Sequence, residues 1–428
     1  MERLLHYVWK YKLYAATQLI TTDGLPIQVI DPGIENTNAG PDFFNAKIKI
    51  GNTIWAGGIE IHDKASDWFA HNHDKDKTYD VVILHVTGVD DLEVTRSTGE
   101  CIPQLVLTVP EQVSRNIDWL LYRESSVPCL SCIKTIDPLH INSWMAALLG
   151  ERLERKTHDI ITLLEQYKDD WNEVFYIVLT RNFGFGINND AFERLARSLP
   201  LRYIRKQRNS HTQIEAMLFG QAGMLSEEYN DPYYRLLQRE YKFLSHKFSL
   251  KPLDGSVFRN LRIRPVNFPY IKVAQQAALW VQHDTLFSAI LDAGSPGEIK
   301  KFFRISPSDY WKTHYHFRNA STPQEKTIGE NTLNILLINT VGPMFFAYGL
   351  RNKRPEYCNR ATRLLESIPP ESNTIITTFR NAGIQVGNAG DTQALIQLKR
   401  EYCEKKKCLY CRIGFRMLRE CIHLNCQP

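Results

Sequence analysis

The sequence has no long hydrophobic run. A membrane-spanning helix needs about 20 apolar residues, and the longest candidate, 333–348, is interrupted by Gly342 and Pro343. Residues 1–14 mix charged and aromatic side chains and have no apolar segment of the kind found in secretory signal peptides. We therefore predict a soluble, cytoplasmic protein without a membrane partner.

A strong excess of charge of one sign is also missing. The 428 residues include 52 Lys and Arg against 47 Asp and Glu, a net charge of +5. This mild basicity permits nucleic-acid binding but does not require it. The sequence contains neither an H-E-x-x-H motif nor a Gly-Lys-Ser/Thr loop, so the common zinc-protease and P-loop signatures are excluded.

Two kinds of hydrophobic periodicity divide the chain. The first part predicts an N-terminal helix, a short helix from Ser66 and several strands, at 17–22, 26–30, 43–50, 54–62, 79–86, 92–95 and 102–109. From residue 138 onward helical spacing dominates. We predict an α/β domain over 1–128, a large all-α domain over 135–395 and a Cys-rich tail over 396–428.

The candidate chemistry of the first domain is concentrated between residues 40 and 86. Asp42 opens one predicted strand, and Glu60 and His62 occupy alternate positions of the next strand. The period of two places Glu60 and His62 on one face. Carboxylates are preferred ligands of Mg²⁺, and a bound metal can activate water and neutralise phosphate charge. The arrangement is typical of metal-dependent phosphodiesterases.

The hairpin register decides whether Asp42 and Glu60 share a face. A two-residue loop at Gly51 and Asn52 would place Asp42 opposite Ile61, facing away from Glu60. A three-residue loop with a bulge would place Asp42 opposite Glu60. Alternatively, Asp42 lies just before the strand. A metal site requires one of the last two arrangements.

Residues 1–110 resemble the PD-(D/E)XK nuclease superfamily. The resemblance lies in Pro41-Asp42, the following strands, and Glu60-Ile61-His62. It implies a restriction-endonuclease-like mixed sheet in which Asp42, Glu60 and the backbone carbonyl of Ile61 bind Mg²⁺ or Mn²⁺. His62 departs from the pattern because lysine is expected there. A neutral histidine can act as a general base, so Asp42, Glu60 and His62 are the candidate catalytic residues.

The whole chain is also similar to an uncharacterised bacterial family, domain of unknown function 2851. The similarity lies in the GPDF, IEIH and H-x-H segments between residues 40 and 73, in the RPVNFP segment at Arg264, and in the Cys-rich tail. This resemblance implies no activity.

Four histidines of the first domain offer a second interpretation, a transition-metal site with imidazole ligands: His62, His71, His73 and His85. No zinc-hydrolase signature accompanies them. We rank this interpretation below the Mg²⁺ site, with His71 and His73 as candidates for lining the same cleft.

Basic residues near aromatic side chains are candidates for nucleic-acid binding: Arg202, Arg205, Lys206, Arg208, Arg262 and Arg264. Cations neutralise phosphates, and aromatic rings stack on unpaired bases. The alternative is a solvated helix face, which is the more common role of such charge runs.

The nine cysteines include five after residue 400. This clustering favours free thiols or a metal site over a disulfide framework. Cys403, Cys408 and Cys411 have the spacing of the first three ligands of a plant-type [2Fe–2S] cluster, and three thiolates also suit zinc. Candidates for a fourth ligand are Cys421, His423, Cys426 and the pair Cys129 and Cys132. Buried thiols on a helix, with no metal, are the alternative.

The leading functional prediction is Mg²⁺-dependent hydrolysis of phosphodiester bonds in DNA or RNA. Two other classes stay open, a nucleic-acid-binding protein with a degenerate nuclease site and a scaffolding protein without catalysis. The sequence does not reveal the oligomeric state.

Overall fold

The computed structural model describes residues 2–14, 19–36, 39–122, 127–261, 263–318 and 320–419. The chain divides into two units. The first comprises the described parts of Met1–Trp144 and of Leu398–Pro428, together with Thr378–Ile384. The second comprises Met145–Thr377 and Gln385–Gln397. The first unit is therefore assembled from segments far apart in the sequence.

Six strands form one mixed sheet in the described part of the first unit. They are β1 (Ile27–Asp31), β2 (Ile34–Glu35), β3 (Phe43–Ile50), β4 (Thr53–Lys64), β5 (Val82–Val89) and β6 (Gln104–Val106). The order is β1-β3-β4-β5-β6, and β2 also pairs with β3. The pairs made by β3 are antiparallel, whereas β4–β5 and β5–β6 are parallel.

The first helix, α1 (Glu2–Lys10), covers one face of this sheet. Its Val8 and Trp9 are fully buried and pack with Ile59 and Ile61 of β4 in one hydrophobic cluster. Apolar residues alternate with polar ones along β4, so the opposite face of this strand carries Glu60 and His62. The strand that carries the candidate site is therefore packed on the hydrophobic core through its opposite face.

Two smaller clusters complete the first unit. Trp68 of α2 (Asp67–Ala70) packs with Val82 and Ile102. The second cluster joins α1, α3 (Glu111–Tyr122), the 3₁₀ segment Pro128–Thr135 and α18 (Arg412–Arg419). In it, Tyr7, Leu120 and Leu418 bury one another, so the C-terminal tail packs on the N-terminal helix.

The regular elements described after β6 are all helical. Between α3 and α18 they are α4 (Pro138–Gln166), α5 (Trp171–Asn182), α6 (Asn189–Ser198), α7 (Leu201–Arg205), α8 (His211–Gln221), α9 (Pro232–Phe248), α10 (Pro269–Gln282), α11 (Leu286–Asp292), α12 (Pro296–Phe302), α13 (Glu330–Leu336), α14 (Gly342–Arg351), α15 (Pro355–Glu366), α16 (Thr374–Asn381) and α17 (Ala389–Gln397). π-Helical segments follow α13 at Leu337–Val341 and α17 at Leu398–Cys403. An α/β part followed by a large helical part is therefore confirmed.

The continuous helical stretch Glu330–Arg351 is long and apolar enough to cross a membrane by length and composition. However, 72% of its apolar window is buried inside the protein. Burial of this extent is typical of a core helix of a folded domain.

Several predicted boundaries differ from the structure. The expected strand at 79–86 begins only at Val82, because the preceding Lys77–Tyr79 forms a 3₁₀ turn capped by the Asp76 side chain. The expected strand at 17–22 lies partly outside the described residues, and its described part makes only an isolated bridge at Ile20. The strand expected at 92–95 is likewise reduced to a bridge between Thr95 and Cys101.

Candidate metal centre

A bulge in β3 brings Asp42 opposite Glu60. The loop at Gly51 has two residues, with Ile50 paired to Thr53, but the register shifts by one between Ala46 and Phe43. Phe43 consequently pairs with Ile59. Asn45, in the bulge, has a φ of 57°, a left-handed conformation that asparagine tolerates better than most residues. Of the two arrangements that a metal site requires, the structure has the second, because Asp42 lies just before β3. The bulge lies inside the strand rather than in the loop.

Two backbone-to-carboxylate hydrogen bonds join Asp42 to the Glu60-Ile61 segment of β4. The backbone N–H of Asp42 donates to Glu60 Oε2 at 2.9 Å, and the N–H of Ile61 donates to Asp42 Oδ2 at 2.9 Å. Each carboxylate therefore has one oxygen held by the backbone. Burial raises the pKa of Glu60, and repulsion by Asp42 acts in the same direction, whereas a hydrogen bond with His73 opposes both. The two carboxylates are thus electrostatically coupled. Whether the carbonyl oxygen of Ile61 binds metal stays a prediction.

Three histidines gather at the other oxygen of Glu60. His62 extends from β4, His71 ends α2, and His73 opens the 3₁₀ turn His73–Lys75. Glu60 Oε1 lies 3.2 Å from His73 Nε2 and 3.6 Å from His62 Nε2. His62 Nε2 lies 3.1 Å from His71 Nδ1. One potential ligand atom from each of the three imidazoles lies within 4.8 Å of the other two. Among the residues that the structure describes, these three histidines are the group found close enough together to hold a metal ion.

Side chains around the three histidines fix their positions. His73 stacks on Tyr79 with 3.8 Å between the ring centroids, and its edge meets Trp68. Asn72 has a φ of 61°, so the chain turns sharply between His71 and His73. Glu60, His62 and His73 are buried, whereas His71 is exposed and the Asp42 side chain is 25% exposed. The site therefore has an open side at Asp42 and His71.

A chain of hydrogen bonds from β6 fixes the tautomer of His62. Gln104 uses its amide nitrogen to donate to Asp90 Oδ1 and to the carbonyl of Leu92. Its Oε1 therefore accepts from Nδ1 of His85, at 3.1 Å. His85 Nε2 is left as the acceptor for His62 Nδ1, at 2.9 Å. The Nε2 atom of His62 then carries a lone pair directed toward His71 and Glu60, as a metal ligand requires.

Burial keeps the inner histidines neutral. Burial lowers the pKa of His62 to about 2, and the neighbouring imidazoles of His85 and His73 add to this effect. Burial also lowers the pKa of His85 to about 4, although its hydrogen bond with Gln104 acts in the opposite direction. A neutral imidazole is the form that binds metal ions.

Three separations are close to those around a tetrahedral ion. Ligands 2.0–2.1 Å from one zinc ion lie about 3.3 Å from each other, and the pairs His62–His71, Glu60–His73 and Glu60–His62 are 3.1, 3.2 and 3.6 Å apart. Imidazole ligands suit Zn²⁺ and other transition ions, whereas Mg²⁺ prefers an all-oxygen site. The three clustered imidazoles belong to the interpretation that the sequence ranked second. The fourth histidine of that interpretation, His85, instead bonds to His62 and Gln104.

Two residues near the site, His6 and Gln104, were not selected from the sequence. His6 of α1 lies with Nε2 3.3 Å from Asp42 Oδ2. Burial lowers the pKa of His6, but hydrogen bonding and attraction by Asp42 outweigh it, so the net shift is upward. A polar residue between the core positions Leu5 and Val8 was the available signal. For Gln104 the signal was a buried amide in a short apolar strand.

The basic candidates lie in the second unit and make contacts within it. Arg205 and Arg208 both pair with Asp284, at 3.4 Å and 2.9 Å. Arg202 lies over the ring of Tyr203, and Lys206 over that of Phe248. Arg264 is exposed beside a 3₁₀ turn, and Arg262 lies outside the described residues. Asp284 already neutralises part of this charge, so Arg202, Lys206 and Arg264 are the stronger candidates for phosphate contacts.

The tail cysteines Cys403, Cys408 and Cys411 lie together in the first unit, beside Cys129. They do not share a helix face as the buried-thiol alternative requires. Cys403 ends a π-helical segment, Cys408 opens a 3₁₀ turn, and Cys411 precedes α18 in an extended conformation. The lysines between them do not produce a net lowering of thiol pKa: burial raises the pKa of Cys408 and outweighs the charge of Lys406. The other proposed ligands, at 421, 423 and 426, lie outside the described residues.

The family model for proteins of unknown function, DUF2851, matches residues 2–374. The chain belongs to this family. The match includes the whole candidate metal centre and ends before the tail cysteines. No curated protein and no solved structure matches the chain significantly.

Proposed function

We propose that this protein is a metal-dependent hydrolase of phosphodiester bonds in nucleic acid, with its active site at Asp42, Glu60 and the histidine group His62, His71 and His73. The observation that carries the proposal is the register shift in β3, which places Asp42 opposite Glu60 beside three clustered imidazoles. The order of helix, strands, short helix and strand in residues 2–106 supports a nuclease-like core.

Glu60 and the histidine group would hold the ion, and their nitrogen atoms favour a transition ion such as Mn²⁺ or Zn²⁺ over Mg²⁺. A bound ion of this kind lowers the pKa of a water ligand and stabilises charge on a phosphate. Asp42 has one oxygen held by the N–H of Ile61 and lies beside His6 at the open side of the site. We infer that Asp42, held by His6 and by the N–H of Ile61, orients the attacking water and takes up its proton on the carboxylate.

Substitution of the two carboxylates tests the proposal. Asp42→Asn and Glu60→Gln should each nearly abolish cleavage, because each removes charge from the site. The double variant should be little worse than either single one, since residues that act as a unit are not additive. The assay is cleavage of single- and double-stranded DNA and RNA with Mg²⁺, Mn²⁺ or Zn²⁺. Asp23→Asn, in an exposed turn, is the control.

The outcomes separate the three functional classes. Binding of nucleic acid by the wild type without cleavage under any condition would favour a nucleic-acid-binding protein with a degenerate site. Neither binding nor cleavage would favour a scaffolding protein.

His62→Lys tests the metal class within the same assay. The lysine restores the residue expected from the nuclease resemblance but removes an imidazole donor. We expect loss of Mn²⁺- or Zn²⁺-dependent cleavage by at least the 10²-fold typical of such groups. Increased cleavage with Mg²⁺ would instead support an all-oxygen metal site at Asp42 and Glu60.

A further inference from the structure

Four cysteines from distant parts of the sequence line one small cavity of the first unit: Cys129, Cys403, Cys408 and Cys411. We refer to them as the four-cysteine site. Leu120 and Ile413 complete much of its apolar lining. All four are free thiols. An apolar cavity formed around four sulfur atoms is the environment of a buried metal centre rather than of a reactive thiol.

The four thiols act on one another electrostatically. Burial raises the pKa of Cys129, and the other three thiols raise it further. Burial raises the pKa of Cys403 to about 12, with further contributions from Cys411 and Cys408. Cys408 also raises the pKa of Cys411. All six pairs of thiols therefore lie close enough to act on one another, in agreement with their common place in the lining of one cavity.

Hydrogen-bond donors also converge on this site. Burial raises the pKa of the Cys411 thiol, and the backbone N–H groups of Gly414 and Ile413, at the start of α18, donate to its sulfur and oppose that shift. The indole N–H of Trp144 acts on the same sulfur, yet it has no acceptor within ordinary hydrogen-bond geometry in the described residues. Trp144 is 5% exposed, so the indole N–H that acts on Cys411 is shielded from water.

Glycine is required where α18 meets the site. A Cβ atom at position 414 would lie 2.1 Å from the carbonyl oxygen of Cys408. The absence of a side chain therefore lets the first turn of α18 approach the Cys408 turn, so that its N–H groups reach Cys411. This close packing preforms the site without a ligand.

The spacing of the sulfur atoms distinguishes a cluster from a single ion. Four thiolates on one zinc ion lie about 2.3 Å from it and therefore about 3.8 Å from one another. In the histidine group, three potential ligand atoms lie within 4.8 Å of one another. Among the described residues no three sulfur atoms of the four-cysteine site lie that close together, so their spacing is wider than a single zinc ion requires. A cluster of several iron atoms spreads its thiolates more widely than one ion does.

We propose that the four-cysteine site binds an iron–sulfur cluster. The cluster would link the 3₁₀ segment Pro128–Thr135 to the segment 398–413, which is some 270 residues later in the sequence. The ammonium groups of Lys399 and Lys406 lie near Cys403 and Cys408 and would offset part of the negative charge of the cluster. The proposal does not depend on nuclease activity. The role of the cluster would be to hold the C-terminal segment on the rest of the first unit.

The test is metal and sulfide analysis of full-length protein purified anaerobically without an affinity tag. We expect iron and acid-labile sulfide in equal amounts, together with the visible absorption of an iron–sulfur cluster. About four iron atoms per chain would indicate a [4Fe–4S] cluster and about two a [2Fe–2S] cluster. Cys129→Ser should lose most of the iron. Cys132→Ser is the matched control, because Cys132 is a free thiol on the same 3₁₀ segment but is not among the residues that line the cavity.

A second measurement needs no variant, in case Cys129→Ser fails to fold. Alkylation followed by mass spectrometry should label the exposed Cys101 at once. The four-cysteine site should be labelled only after oxidative removal of the cluster. The proposal is overturned by zinc without sulfide, by iron that is unchanged in Cys129→Ser, or by protein free of metal even after reconstitution with iron and sulfide.

Discussion

The imidazole of His85 lies between His62 and Gln104, with one ring nitrogen directed at each. Because Gln104 also bonds to Asp90 and Leu92, the position of one amide on β6 fixes which nitrogen of His62 faces the candidate metal centre. The three residues lie on three neighbouring strands, so the sheet itself orients the ligand.

Gln104→Leu should weaken metal binding. The substitution removes the partner that fixes the tautomer of His85 and therefore that of His62. Loss of such supporting hydrogen bonds typically costs 10–100-fold in metal affinity. Titration of the apo protein with Mn²⁺ and Zn²⁺ by calorimetry measures the change, with Gln28→Leu on the exposed side of β1 as the control. Equal affinity of wild type and Gln104→Leu would show that His62 needs no such support.

The bulge at Asn45 offers a test of register. Asn45→Gly should retain the metal site, because glycine adopts a positive φ readily. Asn45→Val should lose stability by about 1–2 kcal/mol, since a branched side chain disfavours the left-handed conformation. Asn45 is exposed, so neither change disturbs the core.

Two measurements distinguish an effect of the bulge on metal binding from a general loss of stability. Urea unfolding gives the change in free energy, and calorimetry at a temperature where both variants are folded gives metal affinity. We expect weaker binding in folded Asn45→Val, because straightening the strand would pair Asp42 with Ile61 and remove the N–H of Asp42 that holds Glu60, a proposed ligand. Unchanged affinity in that variant would contradict the importance of the bulge.

The buried Lys156 of the second unit should make the free energy of unfolding rise with pH. Its ammonium group donates to Asn339 and Gln393, at 2.8 and 3.0 Å. Burial lowers the pKa of Lys156 to about 7, and the nearby charge of Arg152 adds to the shift. The unfolded lysine has a pKa of about 10.4. Between these values the unfolded state binds more protons, so the contribution of Lys156 to stability increases as pH rises from about 7 to 10.

Unfolding by urea at pH 7, 8 and 9 checks this expectation. In Lys156→Met the upward slope should be smaller, whatever the stability at pH 7. Lys242→Met, at an exposed position of α9, should keep the slope of the wild type. Identical slopes in all three proteins would show that Lys156 has an ordinary pKa in the folded state.

Local patterns in the sequence predicted much of the fold. The strand 43–50, the short helix after Ser66 and the division into an α/β part and a helical part all follow from periodicity and turn residues. The start of β5 was wrong because the 3₁₀ turn Lys77–Tyr79 depends on the Asp76 side chain rather than on hydrophobic spacing.

The candidate site was less predictable because its geometry depends on contacts between strands. Period-two alternation correctly placed Glu60 and His62 on one face. The sequence did not locate the bulge, since Asn45 is equally compatible with a regular turn. The partnership of His62 with His85 and Gln104 depends on the parallel pairing of β4, β5 and β6, which no local pattern specifies.

The position of α18 has a consequence for folding during synthesis. Leu418 packs with Tyr7 and Leu120, yet the ribosome produces it long after them. At about 5–20 residues per second, the intervening residues take on the order of tens of seconds to emerge. During that interval the apolar surface of α1 and α3 that α18 will cover is exposed to solvent, to chaperones and to other nascent chains. The first unit is synthesised first, but its hydrophobic packing is completed only after α18 has emerged.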